Sequence, residues 1–236
     1  MNRGDWDPEG VVRVRARNPS PLTLDGTNTY VLGRWVVDPG PADEAHLDAV
    51  RTAAREGIEG VVLTHGHLDH AEGADRLGAP VVLPGDGDEV GPFRAVATPG
   101  HSPDSVCLLA GEACFTGDTV LGEGSVFISP DEGSLSAYLD SLRRLRELEL
   151  RVLCPGHGPY VWDPRAKLDE YIEHRLDRER RLVAALEGGL RTHEELLDAA
   201  WSDAPAILRP AAELTLRAHL DKLAEEGRLP PGVPGY

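Results

Sequence analysis

The densest group of chemically active side chains in this chain is the segment Thr64-His65-Gly66-His67-Leu68-Asp69-His70. It follows the apolar run Val61-Val62-Leu63, which is typical of a buried β-strand. Residues two apart in extended backbone point the same way, so His65 and His67 face a common point. Asp69 and His70 then stand where a helix is expected to begin. Four side chains of metal-binding type so close together predict a metal site.

Three further ligand-type residues each follow a short apolar run and sit in a glycine-bearing turn. They are His101 in Thr98-Pro99-Gly100-His101, Asp118 in Thr116-Gly117-Asp118, and His157 in Pro155-Gly156-His157-Gly158. Glycine lets the backbone turn sharply and pass close to other atoms. If these strand ends and the first one converge on one edge of a sheet, all the donors surround one cavity.

Five histidines and two aspartates are too many ligands for one catalytic zinc ion, which keeps an open position for water. They suit two ions, with three terminal ligands each and one shared carboxylate. Two metal ions about 3.5–4 Å apart can hold a bridging hydroxide and polarise the bond that it attacks. Because metal binding lowers the pKa of water from roughly 15.7 to about 7, we expect a hydrolase that needs no serine or cysteine nucleophile.

The ligand pattern resembles the signature of the metallo-β-lactamase-fold hydrolases, which is His-x-His-x-Asp-His followed by a distant His, an Asp and a His. The resemblance implies three groups of ligands: His65, His67 and His101 for one metal, Asp69, His70 and His157 for a second, and Asp118 as the bridge. It makes Asp69 and Asp118 the catalytic carboxylates. It also matches Asp38 to an early aspartate that orients a ligand without binding metal. The implied cofactor is two zinc ions, with manganese or iron as alternatives.

Other segments resemble one branch of that family, the lactamase-beta-like-2 branch, over nearly the full length. They are Asp25-Gly26-Thr27-Asn28-Thr29-Tyr30, residues 117–124, residues 155–159, and Tyr171-Ile172-Glu173-His174-Arg175. Animal members of the branch are known as endoribonucleases of single-stranded RNA, relatives in fungal polyketide pathways are thioesterases, and glyoxalase II enzymes share the core. The resemblance implies an α/β (α+β) fold, namely an αββα sandwich with a small C-terminal winged-helix-like domain.

The order of apolar patterns fits that architecture. Strand-like apolar runs alternate with helical patterns up to Cys154, and the helices are predicted at 43–56 and 134–147. Asp163-Pro164 then starts a long helix to about Glu187, and helices follow at about 192–201, 204–209 and 211–226, before a β stub at Arg228-Leu229. We therefore expect a catalytic domain at 1–162, a linking helix at 163–189 and a winged-helix-like domain at 190–236.

Composition narrows the class of protein further. The 236-residue chain carries a net charge of −16, so its field gives nucleic acid no long-range attraction. No apolar run reaches the roughly 18 residues that a membrane span needs, and the segment from Met1 to Trp6 lacks the apolar stretch of a signal peptide. We expect a cytoplasmic protein with no membrane partner, open to homodimer formation, and not a secreted β-lactamase. Cys107, Cys114 and Cys154 lack CxxC spacing and are expected to be buried reduced thiols.

Substrate contacts are expected from the long helix that follows the core. Lys167, His174 and Arg175 fall at positions i, i+7 and i+8, so they share a face on which they could hold a phosphate or a carboxylate. The alternative is a solvated helix face with charges of both signs, to which nearby Glu170 and Arg178 belong.

Three functions are compatible with these patterns. The first is a single-stranded RNA phosphodiesterase, favoured by the branch and the winged-helix tail and opposed by the acidic charge. The second is an acyl-thioester hydrolase of the glyoxalase II or polyketide type, favoured slightly because no proton donor for the leaving group is recognisable and a thiolate leaves without one. The third is a non-enzymatic winged-helix binding protein, which the intact ligand set opposes.

Overall fold

The structure is a computed structural model that describes residues 8–236. The segment from Met1 to Trp6, on which the expected cytoplasmic location partly depended, lies outside the described residues. Within residues 8–236, none of the helices combines the length and the apolar character that crossing a membrane requires.

Two mixed sheets of five strands each form the centre of the described chain. The first sheet has the order β1-β2-β3-β4-β5, made of Val11–Arg15, Asn28–Leu32, Trp35–Val37, Gly60–Val62 and Val81–Val82. The second has the order β10-β9-β8-β7-β6, where β6 to β10 are Glu89–Val90, Phe93–Ala97, Val106–Ala110, Ala113–Gly117 and Val152–Pro155. The parallel pairs are β3 with β4, β4 with β5 and β9 with β10, and the other pairs are antiparallel. The short strand β6 was not predicted.

Alternation along the strands separates two apolar layers on the first sheet. Tyr30 pairs with Val37 and Val37 with Val62 across the strands, and this row packs against Leu108 and Phe115 of the second sheet. The opposite face packs on helix α1 (Glu44–Ala53) through one row of valines: Val31, Val36 and Val61.

Two helices cover the outer face of the second sheet. Helix α3 (Leu135–Arg146), predicted at 134–147, begins where the Ser134 side chain accepts a hydrogen bond from the Ala137 N–H. Helix α4 (Pro164–Glu187) begins where the Asp163 side chain accepts from the Ala166 N–H. Together with α1 they confirm the predicted αββα sandwich.

The last turns of α4 pack against two further helices, α5 (His193–Ala200) and α6 (Arg209–Glu225). The predicted helix at 204–209 is wrong, because only a 3-10 turn at Ala206–Leu208 precedes α6, whose first turn accommodates Pro210. The β stub at Arg228-Leu229 is also wrong. The backbone N–H groups of both residues donate to the Leu223 carbonyl oxygen and close the end of α6 (2.8 and 3.1 Å), so they are not available to a strand.

The strands that precede the predicted ligands end on the same side of the sandwich. Strand β8 is antiparallel to both β7 and β9, and β10 is parallel to β9, so β7, β9 and β10 run in one direction. The expected convergence on one sheet is wrong in one respect, because β4 belongs to the other sheet. The Val106 N–H donates to the Thr64 carbonyl oxygen (2.8 Å) and joins the end of β4 to the second sheet. The ligands therefore lie where two sheets meet.

Candidate metal centre

The connection from β4 to the short helix α2 (Leu68–Ala71) supplies four of the predicted ligands. His65 and His67 precede the helix, and His67 has extended backbone at φ −64° and ψ 143°. Asp69 and His70 lie in the helical turn, as the sequence predicted. One short segment thus presents side chains toward two neighbouring points.

Three histidines converge at the first of these points. The His65 Nε2 and the His67 Nδ1 are 3.1 Å apart, and the His101 Nε2 is also 3.1 Å from the His67 Nδ1. His65 and His101 are buried, whereas 31% of the His67 side chain is exposed. Three ring nitrogens of three different residues therefore face one small volume.

Two histidines and an aspartate converge at the second point. The His157 Nε2 lies 3.3 Å from both the His70 Nε2 and the Asp69 Oδ2. The Asp69 Oδ2 and the His70 Nε2 are 3.6 Å apart. Asp69 is the most exposed of the three, with 32% of its side chain accessible.

Asp118 lies between the two groups and presents one oxygen to each. Its Oδ1 is 3.3 Å from the His157 Nε2 and 3.4 Å from the His70 Nε2, while its Oδ2 is 3.7 Å from the His101 Nε2. The Asp118 Oδ1 is buried and has no hydrogen-bond partner of good geometry. A buried carboxylate oxygen in that state needs a cation or a donor nearby.

Hydrogen bonds on the far sides of the rings turn the lone pairs of His65 and His70 inward. Asp38 accepts from the Thr64 N–H (2.8 Å), the Thr64 hydroxyl (2.7 Å) and the His70 Nδ1–H (2.9 Å). The Thr64 hydroxyl, having given its proton to Asp38, accepts from the His65 Nδ1–H (3.0 Å). Both rings therefore keep Nε2 free as a donor to a metal, and Asp38 holds them without facing the cavity itself.

The other three rings are oriented in the same way. The His101 Nδ1–H faces the Phe127 carbonyl oxygen at 3.3 Å, and the His157 Nδ1–H faces the Gly26 carbonyl oxygen at 3.4 Å. The His67 Nε2–H points to the Glu132 carboxylate at 3.3 Å. With these partners on the outer nitrogens, the second nitrogen of each of the five rings faces the interior of the group, where it is a metal donor when the ring is neutral.

The electrostatics of the group favour a bound cation. Burial lowers the pKa of His65 and of His101, which keeps both rings neutral. Burial also opposes charge on His157, but the Asp118 carboxylate more than offsets it and raises the pKa of His157 to about 9. Asp118 itself is buried, yet the nearby His157 and His70 hold its pKa well below the usual range. An ionised buried carboxylate of this kind attracts a proton or a metal ion to the same place.

Gly156 allows the backbone to pass directly beside this group. A Cβ at that position would lie 2.5 Å from the His70 Cε1 and 2.9 Å from the Asp118 Oδ1. No larger residue fits, which explains the glycine of the Pro155-Gly156-His157-Gly158 motif.

The spacing of the donors fits metal coordination. A tetrahedral zinc ion with bonds of roughly 2.0–2.1 Å holds neighbouring ligand nitrogens roughly 3.3 Å apart. The ligand atoms of His65, His67 and His101, and those of Asp69, His70 and His157, form two groups in which all atoms lie within 4.8 Å of one another. Imidazole and carboxylate donors suit divalent zinc, manganese and iron alike, so the donor set does not choose the metal.

A cavity of about 490 Å³ opens on both groups. Its floor includes His67, Asp69, His101, Asp118 and His157. The opposite wall comes from α4, the 3-10 turn and α6, and the side wall comes from residues 20–24 and 121–127. The C-terminal helices therefore roof the candidate centre.

Of the three predicted substrate-binding residues, the structure places two on the cavity wall. His174 and Arg175 line it, whereas Lys167 does not and instead pairs with Glu170 at 3.0 Å. Arg175 is only 2% exposed, and its guanidinium donates to the Val126 carbonyl oxygen and lies over the Tyr138 ring. All three residues lie on α4, but the packing around the helix separates Lys167 from the other two.

Several residues at the centre were not singled out from the sequence. Glu132 and Phe127 contact ligand rings, and Trp201, Leu208 and Thr215 line the roof. Phe127 acts through its backbone carbonyl, which any residue carries, so no sequence signal marks it. The acidic side chain of Glu132 is one of many in an acidic chain.

Comparison with known proteins agrees with this geometry. The chain matches the model of the metallo-beta-lactamase superfamily at residues 22–80 and 78–157. It also matches the beta-lactamase associated winged helix domain at residues 192–229.

Two curated proteins and one solved structure illustrate the range of relatives. The beta-lactamase-like protein 2 homolog of Caenorhabditis elegans is 32% identical over 93% of this chain and 85% of its own length. The atrochrysone carboxyl ACP thioesterase of Aspergillus fumigatus is 34% identical over 83% of this chain and 75% of its own length. A metallo-beta-lactamase family protein from Thermus thermophilus shares the fold, with a TM-score of 0.76, 23% identity, and coverage of 92% of this chain and 94% of that one. The chain therefore belongs to the metallo-beta-lactamase superfamily, a family of metal-dependent hydrolases, and carries that family's associated winged helix domain.

Proposed function

We propose that this protein is a dinuclear metal-dependent hydrolase of thioesters that carry an apolar acyl group. The observation that supports this most is the wall of the cavity above the donor groups. Most of that wall is apolar, and the two cations that line it among residues 8–236 are both engaged with protein groups. The thioesterase alternative is thus supported better than the RNA phosphodiesterase predicted first.

On this proposal the protein takes two divalent metal ions, zinc ions in the first place, with manganese or iron as alternatives. His65, His67 and His101 would hold one ion, Asp69, His70 and His157 would hold the other, and Asp118 would serve both. Bound divalent ions supply Lewis-acid polarisation of a carbonyl group and a hydroxide nucleophile at neutral pH. The chain contributes the orientation of the ligand rings through Asp38 and the other outer partners.

The acyl group on this proposal lies against the apolar wall. Pocket volumes of about 300–1,000 Å³ are usual for small-molecule ligands, and a cavity of about 490 Å³ falls in that range. Its apolar lining includes residues of the 20–24 loop, the 121–127 segment and the C-terminal helices: Leu22, Leu24, Leu121, Val126, Phe127, Trp201 and Leu208. An alkyl or polyketide chain gains free energy by leaving water for such a wall.

The charges of the cavity do not suit a polynucleotide. Arg178 is bound by Asp203 at 2.5 and 3.1 Å and donates to the Ala200 carbonyl oxygen at 2.6 Å. Arg175 is recessed behind the wall and held by the Val126 carbonyl. RNA binding depends on a row of accessible cations along the backbone, and the net charge of −16 adds repulsion.

The leaving group also favours a thioester. A ribose alkoxide needs a proton donor, whereas a thiolate departs without one. His174 lines the cavity, but burial and the neighbouring Arg175 and Arg178 lower its pKa to about 4, so it is neutral at pH 7 and a poor acid. His174, the histidine that residues 8–236 place in this wall, therefore offers no imidazolium to an RNA substrate.

This proposal assigns a role to each domain of the chain. Residues 1–162 supply the metal ligands, and residues 163–189 and 190–236 supply the linking helix and a winged helix whose role is to roof the acyl site. The fungal thioesterase relative, whose match covers 83% of this chain, supports the proposed thioesterase activity.

The test is a direct comparison of the two substrates with metal-loaded protein. Octanoyl-N-acetylcysteamine is followed by thiol release, and a labelled single-stranded RNA is followed on a gel, each with the wild type and with Asp118→Ala. We expect the wild type to release thiol and Asp118→Ala not to. Any RNA cleavage should be the same for both proteins. Asp118-dependent cleavage of RNA without thiol release would overturn the proposal, and the variant excludes a contaminating enzyme as its source.

A further inference from the structure

The two donor groups differ in which part of the chain holds their rings. The His70 ring is hydrogen-bonded to Asp38, and the His65 ring is linked to Asp38 through the Thr64 hydroxyl. The His157 ring faces the Gly26 carbonyl oxygen. All three rings are therefore oriented by the first sheet and its flanking loop. His67 and His101 instead rest on residues 125–134, which connect β9 to α3 and contain neither helix nor strand. We call residues 125–134 the brace segment.

The brace segment is held in turn by the C-terminal helices. The Arg175 guanidinium on α4 donates to the Val126 carbonyl oxygen. The Ile128 N–H donates to the Thr215 hydroxyl oxygen on α6 at 3.2 Å. The Thr215 hydroxyl donates onward to the Ala211 carbonyl oxygen at 3.1 Å, which fixes its orientation on the helix.

One peptide group joins Thr215 to a ligand ring. The carbonyl oxygen of Phe127 and the N–H of Ile128 belong to the same planar unit. The oxygen accepts from the His101 Nδ1–H, and the N–H donates to Thr215. Because the unit is rigid, a shift at one end moves the other, and hydrogen bonds at both ends polarise it in the same sense. Thr215 is 2% exposed, so water does not replace its hydroxyl without rearrangement.

We propose that Thr215 is a positioning residue for His101, and that the C-terminal helices thereby set the metal affinity of the position formed by His65, His67 and His101. This inference rests on the proposed two-metal centre. At the position formed by Asp69, His70 and His157, the outer hydrogen bonds of the two rings go to Asp38 and to the Gly26 carbonyl oxygen, both outside the brace segment, so we expect its affinity to be independent of Thr215. Phe127 and Thr215 also line the cavity, so an occupant of the cavity touches the same link.

The test is a metal titration of the full-length protein against a chromophoric chelator. The Thr215→Val variant keeps the shape of the side chain and removes the hydroxyl, whereas Thr215→Ser keeps the hydroxyl. His101→Asn, which removes the ligand itself, identifies the binding step that belongs to the first position. Leu208→Ala is the control, because Leu208 lines the same cavity and its side chain has no group that could hydrogen-bond to the brace segment.

We expect Thr215→Val to lower the metal affinity by about three- to tenfold at the binding step that His101→Asn abolishes. The reason is that loss of a direct outer partner of a metal ligand lowers metal affinity by about 10–100-fold, and Thr215 is one hydrogen bond further away. The other step should be unchanged, Thr215→Ser should restore the wild-type titration, and Leu208→Ala should not alter it. If Thr215→Val does not fold, Thr215→Ala replaces it.

Two outcomes would overturn the inference: unchanged affinity in the hydroxyl-free variants, or equal weakening of both steps. A wild-type protein that takes up fewer than two metal ions would instead count against the two-metal centre, so the two failures are distinguishable.

Discussion

The five histidines of the candidate centre and the buried His219 differ in what their ring nitrogens contact. Each of the five rings at the candidate centre has its outer nitrogen next to an acceptor and its inner nitrogen facing the other ligands. His219 on α6 is fully buried, but neither of its ring nitrogens has a hydrogen-bond partner. Its ring packs edge-on against Trp201 with the centroids 5.4 Å apart.

The difference shows that burial alone does not make an imidazole a ligand. At the centre, outer acceptors select the tautomer, and the selected lone pairs converge with a buried carboxylate. At His219 burial and the positive charges of Arg175, Lys222 and Arg178 hold the pKa well below its usual range, so the ring is neutral and fills space like an apolar side chain. Four predictions test this difference between the candidate centre and the rest of the molecule.

The largest effect is expected for Asp118→Ala. This change removes the carboxylate that faces both donor groups, so activity should fall by more than about 100-fold, because even outer partners of metal ligands are worth about 10–100-fold. The fold should remain, as far-UV circular dichroism would report, and metal content should drop. An Asp118→Ala protein with near wild-type thiol release would contradict the proposed role of the carboxylate.

Asp38→Asn should have the next largest effect. Asn tolerates the left-handed backbone at this position, where φ is 48°, so the change removes charge and one acceptor rather than the turn. The affinity for metal should fall by about 10–100-fold, because the rings of His65 and His70 lose their common support. Competition with a chelator measures this. A variant that retains full affinity would show that ring orientation does not depend on Asp38.

His219→Leu should behave in the opposite way to a ligand substitution. Metal affinity should be unchanged, and the free energy of unfolding should stay level or rise by about 1 kcal/mol at pH 7.5, since two unpaired buried nitrogens are removed. The folded-state pKa of His219 lies below the ordinary 6.5, so the unfolded wild type takes up a proton first and the native state loses stability as the pH falls below about 6.5.

The advantage of His219→Leu should therefore grow by about 1 kcal/mol between pH 7.5 and pH 5.5, as urea unfolding at both pH values would show. A variant that is equally destabilised at both values would mean that the ring has a favourable partner.

An effect smaller than those of Asp118→Ala and Asp38→Asn is expected for Leu208→Ala in the roof. Removing part of the apolar wall should raise KM for the octanoyl thioester about tenfold and leave kcat nearly unchanged, because the contact is made equally in the ground state and the transition state. The acetyl thioester, which is too short to reach the roof, should be unaffected. Equal losses for both acyl lengths would place the acyl chain elsewhere.

Much of the centre could be predicted from the sequence because its signals are local. His65 and His67 are two residues apart at a strand end, and Asp69 and His70 lie in the next helical turn, so the backbone periodicity alone groups them. Local signals also marked elements of the layers, since Asp163 starts a helix and apolar valine runs mark buried strands, whereas the αββα order was implied by the family resemblance. The C-terminal β stub was wrong because the Leu223 carbonyl captures the backbone groups that a strand would need.

Residue types at short spacing were enough to predict the candidate ligand side chains, and the family resemblance was enough to predict the order of the layers. The orientation of the rings and the helices that cover them depend on how the whole chain packs. His157 meets the Gly26 carbonyl across 131 residues, and Ile128 meets Thr215 across 87. Such contacts form between backbone groups that every residue carries, or across distances that no local pattern spans, so they emerge only when the whole chain has packed.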